Sequence, residues 1–131
     1  MGWIGVDLDG CLAEWGPGTS NPLDVRIIGH PLPAMVTFVR ELLAAGEDVR
    51  IFTARVGPAT DDECTAVLCR IDGIECGPHP QLDWENYQRT LIERWCQDHL
   101  GQILPITATK DFHMILLYDD RCKQVITNRW K

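Results

Sequence analysis

The sequence of 131 residues has no long apolar run. No stretch approaches the roughly 18 apolar residues of a membrane-spanning helix, and no basic segment leads into an apolar stretch at the amino terminus. Basic residues are also in deficit, because 12 Lys and Arg stand against 19 Asp and Glu and leave a net charge of −7. A surface of that charge repels nucleic acid and anionic membranes. We therefore expect a soluble, cytoplasmic protein that binds any anionic substrate at a local site.

Internal repeats and low-complexity segments are also missing, which argues against a fibrous or disordered chain. The composition, 45% apolar and 24% charged, is that of an ordinary soluble globular domain. A chain of this length buries enough surface for one hydrophobic core but not for two. We expect a single domain over residues 1–131.

The six cysteines do not require a disulfide framework, because thiols of a cytosolic protein stay reduced. Cys76 and His79, together with Cys96 and His99, offer the four ligands of a structural zinc site. Cys96 and His99 lie at helical spacing, however. A core position for Cys96 and a helix-end position for His99 are the favoured interpretation.

Strand and helix patterns alternate along the chain. The predicted elements are a strand that starts at Trp3 and delivers Asp7 to its end, a helix from Pro33 ended by Gly46, a strand at 49–53, a helix opened by Thr60 and ended by Gly73, a helix capped by Asp83 and ended by Gly101, and strands at 103–107, 114–118 and 124–127. This alternation predicts an α/β fold: a Rossmann-like, three-layer α/β/α arrangement with a mostly parallel sheet. Function in such folds collects at the carboxyl ends of the strands.

The segment 10–32 has too many Gly and Pro residues for a regular helix. Long loops inside a compact domain are usually functional. We expect this loop, with a small hairpin in it, to lie over the site formed by Asp7 and Asp9. Its Trp15 either packs the loop onto the domain or stacks on a substrate ring.

Polar side chains follow the predicted strands at four places. They are Asp7 with Asp9, Thr53 with Arg55, Lys110, and Asp119 with Asp120. Four carboxylates at one sheet edge repel one another unless one takes a proton or a cation binds, and a hard divalent ion such as Mg²⁺ is the natural partner of carboxylate oxygens. With Mg²⁺, Lys110 and Arg55 present the formal charge of the pocket is zero, which makes a bound phosphate tolerable.

This set of residues suits phosphoryl transfer through an aspartyl phosphate. Asp7 is the predicted nucleophile, and Asp9 is the predicted general acid and then base. The Thr53 hydroxyl and backbone amides, including that of Ala54, are expected to hold phosphoryl oxygens beside the fixed charge of Lys110. Two arginines, Arg55 and Arg121, either reach the substrate phosphate or pair with a neighbouring Asp.

The sequence resembles the haloacid dehalogenase superfamily at four motifs in the same chain order. Val-Asp-Leu-Asp-Gly-Cys-Leu at 6–12 is similar to the first motif, Ile-Phe-Thr-Ala-Arg at 51–55 to the second, Lys110 to the third, and Tyr-Asp-Asp-Arg at 118–121 to the fourth. The resemblance extends from Trp3 to about Val125 and is similar to that of small phage-type or bacterial members.

The resemblance implies a Mg²⁺-dependent phosphomonoester hydrolase with these residue roles: nucleophile Asp7, acid and base Asp9, phosphate ligands Thr53 and Lys110, a direct metal ligand Asp119, a metal ligand through water Asp120, and a further metal ligand in the Asp9 carbonyl. Superfamily members insert cap domains after the first motif or between the second and third. Neither place has room for one here, so we expect a capless protein. Cys11 departs from the usual Thr or Val and weakens the hydrogen bonding behind the nucleophile.

Other interpretations remain open. A response regulator also uses acids, Mg²⁺, Thr and Lys, but its acid pair comes first in the chain and here it comes last. A catalytically silent phosphoacceptor or binding module and a polynucleotide end phosphatase are further alternatives. The expected substrate is a small phosphorylated metabolite or nucleotide, or a larger phosphorylated molecule at an open site. No feature of the sequence indicates an oligomeric state.

Overall fold

A computed structural model describes residues 2–14, 28–57 and 80–122 of the chain. Its elements are β1 (Trp3–Asp7), α1 (Pro33–Ala44), β2 (Val49–Phe52), a short 3-10 helix (Ala54–Val56), α2 (Pro80–Leu100), β3 (Ile106–Thr107) and β4 (Met114–Tyr118). The predicted helix between Thr60 and Gly73, the predicted strand at 124–127, and Trp15 lie outside the described residues.

The four described strands form one sheet in the order β3-β2-β1-β4, and every neighbouring pair is parallel. The parallel sheet and the helices between its strands confirm the predicted α/β class. Because parallel strands end at the same edge of the sheet, the residues that follow β1, β2, β3 and β4 are brought to that edge together.

One face of the sheet carries the hydrophobic core. Ile4 and Val6 of β1 and Val49 and Ile51 of β2 are buried on this face, as strand alternation requires. Both helices contribute to the same core, through Val39, Ile92, Trp95, Cys96 and Leu100. None of the helices in the described ranges has the length and apolar character needed to cross a membrane.

The other face of β1 is occupied by the ring of Trp3, which is buried. The ring lies next to Gly5, where a Cβ would come within 3.2 Å of the Trp3 ring. The Arg50 guanidinium lies over the ring at 4.8 Å from its centroid, and the indole N–H donates to Asp111 Oδ1 at 2.8 Å. A cation over an indole face is a favourable contact, so the polar groups of Arg50 and Asp111 fix the ring in place.

Three of the four predicted ends of α1 and α2 are confirmed. Helix α1 starts at Pro33, and Gly46 and Gly101 follow α1 and α2 with φ of +84° and +83°, a conformation that Gly adopts without steric cost. Helix α2 begins at Pro80 instead of after Asp83. Proline suits the first turn of a helix because the amide it lacks has no partner there.

Strand β3 is shorter than the predicted strand at 103–107. Pro105 has no N–H to donate to the ladder, and only its carbonyl takes part, as acceptor from the Ile51 amide at 2.8 Å. Regular pairing begins at Ile106. The strand therefore ends level with β2, and Thr107 pairs with Phe52.

The chain turns sharply after β1. The Leu8 carbonyl accepts hydrogen bonds from the amides of Leu12 and Ala13 at 3.0 and 2.9 Å, and Ala13 bridges Pro31 in antiparallel fashion. The two ends of the 10–32 loop are thereby held side by side next to the sheet edge. The described part fits the predicted small hairpin, and residues 15–27 lie outside it.

Candidate metal and catalytic site

The register of β1 and β4 explains why distant acidic residues meet. Val6 is paired with Tyr118, so the next residues, Asp7 and Asp119, lie level with each other at the carboxyl edge of the sheet. Paired residues of neighbouring strands present their side chains on the same face. The predicted meeting of the first and last motifs is thus a consequence of parallel pairing between the two strands.

Three carboxylates form a compact group at this edge. One carboxylate oxygen from each of Asp7, Asp119 and Asp120 lies within 4.8 Å of the other two. Asp7 and Asp119 are half-buried, and Asp120 is exposed. The group is therefore accessible to solvent through Asp120.

Crowding in this group perturbs Asp7. Burial raises the pKa of the Asp7 carboxyl to about 8, and a hydrogen bond with Asp120 and the charges of Asp119 and Asp120 act in the same direction. The Leu8 amide opposes the shift. Without a cation, therefore, Asp7 holds a proton at neutral pH and shares it with Asp120. The sequence predicts that a crowded carboxylate takes a proton, and in the structure the partner of Asp7 is Asp120, which follows β4.

Cys11 lies behind this group. Its thiol donates to the Tyr118 carbonyl at 3.6 Å. Burial raises the pKa of the Cys11 thiol to about 11, and the charges of Asp7, Asp120 and Asp119 add to the shift. Thiols bind metals as thiolates. Without a cation, Cys11 is therefore a protonated neighbour of the carboxylates.

The Asp9 carboxylate is not one of the three that meet. Arg55 donates to both of its oxygens, from Nε to Oδ2 at 2.8 Å and from Nη2 to Oδ1 at 2.9 Å. Both side chains are buried. The sequence leaves two roles open for Arg55, binding a substrate phosphate or pairing with a neighbouring Asp. In the structure Arg55 pairs with Asp9. The metal role of the Asp9 carbonyl stays a prediction.

Thr53 and Ala54 lie at the end of β2, beside β1. The Thr53 side chain is buried and its hydroxyl oxygen accepts from the Arg55 amide at 3.2 Å, while the Thr53 amide donates to the Thr107 carbonyl at 2.9 Å. Ala54 is exposed and opens the 3-10 helix. The Thr53 hydroxyl oxygen accepts in the bond from the Arg55 amide, so the hydroxyl proton takes no part in that bond.

Lys110 is exposed and follows β3 by three residues. The charge of Lys110 acts on the Cys122 thiol, and so do the charges of Asp119 and Asp7. Desolvation raises the pKa of the Cys122 thiol, Asp119 and Asp7 raise it further, and Lys110 lowers it. Lys110, Asp7 and Asp119 therefore all act on the Cys122 thiol, and the contact of Lys110 with a phosphate stays a prediction.

Arg121 follows the acidic pair on an exposed turn. Its backbone amide donates to Asp119 Oδ1 at 2.8 Å. That bond closes the turn after β4 and fixes the orientation of one metal-ligand candidate. What the Arg121 side chain would do with a substrate stays a prediction.

Two residues of α2 belong to the site and are not among the predicted functional residues. Gln88 accepts from Arg55 Nη1 at 3.1 Å and has no exposed surface, and the Trp84 indole N–H donates to the Arg55 carbonyl at 3.1 Å. A signal exists in the sequence, because Trp84, Gln88 and Ile92 are spaced by four residues. A glutamine on the apolar stripe of a helix needs a buried polar partner.

The favoured interpretation of Cys96 is confirmed. Cys96 is fully buried in the hydrophobic core, and burial raises the pKa of its thiol to about 11. His99 lies in the last turn of α2 with its ring 4.8 Å from that of Trp95. Cys76 and His79 lie outside the described residues.

Comparison of the chain with models of protein families, with curated proteins and with solved structures finds no match.

Proposed function

We propose that the protein is a Mg²⁺-dependent phosphomonoester hydrolase of the haloacid dehalogenase type that acts through an aspartyl phosphate on Asp7. The observation that carries the proposal is the convergence of three carboxylates at the carboxyl edge of a parallel sheet, with the Asp7 pKa raised to about 8 by burial and by its neighbours. The four-motif resemblance supports it. The proposal includes a Rossmann-like, three-layer fold and a cytoplasmic location.

The donor set fits magnesium. Asp7, Asp119 and Asp120 supply hard oxygen ligands, which Mg²⁺ prefers, and the Asp9 carbonyl is a further candidate. A bound Mg²⁺ would neutralise charge on the transferring phosphoryl group. With the ion in place, the three carboxylates and the metal together carry one net negative charge. Lys110 balances that charge and favours binding of a phosphate.

The reaction uses two aspartates in turn. In the first step an Asp7 oxygen forms a bond to phosphorus, the bond to the leaving oxygen breaks, and Asp9, which enters this step in its protonated form, gives that oxygen its proton. In the second step a water attacks the same phosphorus, Asp9 takes a proton from the water, and the Asp7–phosphorus bond breaks. Inorganic phosphate leaves and both carboxyl groups return to their starting state.

Thr53 and Lys110 complete the phosphate site. The Thr53 hydroxyl retains a proton to donate, and the backbone at Ala54 lies beside it at the sheet edge. Groups fixed in position before the reaction stabilise the transition state without reorganisation. An open edge suits a small phosphorylated metabolite or nucleotide and also a larger phosphorylated molecule.

The test is phosphate release from a panel of phosphorylated metabolites, an aryl phosphate and phosphorylated DNA ends, with and without Mg²⁺. We expect metal-dependent release that Asp7→Asn abolishes. Asp48→Asn is the matched control, because the Asp48 side chain is exposed at the amino end of β2 and, within the described ranges, pairs with Arg50 two positions along the chain. A silent phosphoacceptor or binding module gives no metal-dependent release, and that result would refute the proposal.

A further inference from the structure

Arg55 is held on several sides within the described residues. Its side chain is only 2% exposed, and two of its N–H groups grip both oxygens of Asp9. A planar guanidinium that binds a carboxylate through two parallel hydrogen bonds fixes the plane of the carboxylate as well as its position. The orientation of Asp9 is therefore set by Arg55.

Helix α2 fixes Arg55 in turn. Gln88 accepts from the guanidinium, and Trp84 donates to the Arg55 carbonyl. The Arg55 amide donates to the Thr53 hydroxyl oxygen at the end of β2. Backbone and side chain of Arg55 are both anchored by these contacts, which hold the guanidinium on Asp9.

A role as phosphate ligand fits these contacts poorly. Asp9 and Gln88 take three of the five guanidinium N–H groups, and the side chain is 2% exposed, so a substrate phosphate finds little surface of Arg55 to contact unless it displaces Asp9. Removing the partner of a buried charge is strongly unfavourable. The described contacts of Arg55 are with Asp9, Thr53 and α2.

We propose that Arg55 is a positioning residue that acts on the reaction through Asp9, and that it does not bind the phosphate of the substrate. This inference rests on the proposed function, in which Asp9 protonates the leaving group. Its distinctive consequence is a dependence on the leaving group: a residue that acts through the general acid matters most when the leaving oxygen needs a proton.

The experiment compares two substrates, p-nitrophenyl phosphate with a good leaving group and glycerol 2-phosphate with a poor one, in Mg²⁺. We expect Arg55→Lys to lower kcat/KM on the alkyl phosphate at least about tenfold more than on the aryl phosphate, as Asp9→Asn does. The double variant should be no slower than Asp9→Asn alone, because both changes remove the same action. Equal losses on the two substrates, or a further loss in the double variant, would overturn the inference in favour of direct phosphate binding.

The control is Arg50→Lys. Arg50 also binds an aspartate through two donors, Asp48 at 3.2 and 3.0 Å, but at the opposite edge of the sheet. We expect Arg50→Lys to leave kcat/KM unchanged on both substrates.

If Arg55→Lys fails to fold, Gln88→Leu provides a second variant, because it removes the support of the guanidinium. It should give a smaller loss of kcat/KM, again larger on the alkyl phosphate than on the aryl phosphate. Equal losses on the two substrates would overturn the inference. A folded wild type without activity refutes the proposed function itself, which is a distinct result.

Discussion

At the scale of single residues, the main electrostatic feature of the sheet edge is the raised pKa of the Asp7 carboxyl. It is half-buried beside two groups of its own charge. Such a group is costly to ionise in the folded chain, whereas in the unfolded chain it ionises at its ordinary pKa. The same crowding that favours cation binding therefore destabilises the metal-free fold.

We expect the stability of the metal-free protein to reflect this cost with a definite sign. The pKa of Asp7 is 3.8 ordinarily and about 8 in the fold, so the folded state keeps a proton that the unfolded state releases. The stabilising contribution of Asp7 to the free energy of unfolding is fully present below about pH 4 and is lost as the pH rises through about 8. Urea unfolding of wild type and Asp7→Asn in a chelator should give equal stability near pH 4 and a more stable variant at pH 9. A variant that loses stability relative to wild type as the pH rises would contradict the pKa assignment.

The buried pair of Asp9 and Arg55 predicts a second effect at this scale. Arg55→Met leaves the Asp9 carboxylate buried without its guanidinium, and we expect a loss of about 3–5 kcal/mol in the free energy of unfolding. Arg50→Met removes an exposed pair and the contact of the guanidinium with the Trp3 ring, and should cost about 1–2 kcal/mol. Chemical denaturation of the two variants measures both values. Similar losses would mean that burial of the Asp9 pair does not decide its contribution.

At the scale of elements, the contact of β1 with β4 depends on the glycine in the middle of β1. A Cβ on Gly5 would lie 2.7 Å from Met114 Cε and 3.2 Å from both Leu117 Cδ1 and the Trp3 ring. Met114 can move, but the Trp3 ring is fixed by Asp111 and Arg50. Because this pairing brings Asp119 level with Asp7, a small change in it is transmitted to the carboxylate group.

We expect Gly5→Ala to destabilise the fold by about 1–3 kcal/mol through overpacking. It should also weaken binding of Mg²⁺ to the carboxylate group. Gly46→Ala is the control: φ is +84° there and nothing lies within 4 Å, so the cost of about 1 kcal/mol is conformational only and metal binding is unchanged. Met114→Ala in the Gly5→Ala background should recover part of the loss. Calorimetry of Mg²⁺ binding, together with denaturation, distinguishes the two glycines.

At the scale of the whole molecule, the net charge of −7 and the carboxylate group make stability dependent on cations. A ligand that binds only the folded state stabilises it by about 2.7 kcal/mol at a concentration one hundred times its dissociation constant. We expect Mg²⁺ to raise the Tm well above the effect of NaCl at equal ionic strength, and Asp120→Asn to reduce that difference. Equal shifts in the two salts would show general screening and not a site.

Part of this organisation is determined by local sequence. Pro33 and Gly46 delimit α1, Gly101 ends α2, and the apolar segments around Val6, Ile51 and Leu116 form parallel strands, because proline, glycine and hydrophobic periodicity act over a few residues. The order of the acidic residues at the strand ends also predicts their meeting, since parallel strands deliver their carboxyl ends to one edge. Asp7, Asp119 and Asp120 were accessible to that reasoning for this reason.

The choice of partners was decided only by the tertiary structure. Whether Arg55 faces a substrate or Asp9 depends on where α2 places Gln88 and Trp84, and whether Asp7 shares a proton with Asp9 or Asp120 depends on the register of β1 against β4. These are contacts between residues 29 to 113 positions apart, fixed by packing over the whole core. A sequence pattern names the charged groups, but only the packed fold assigns each of them a neighbour.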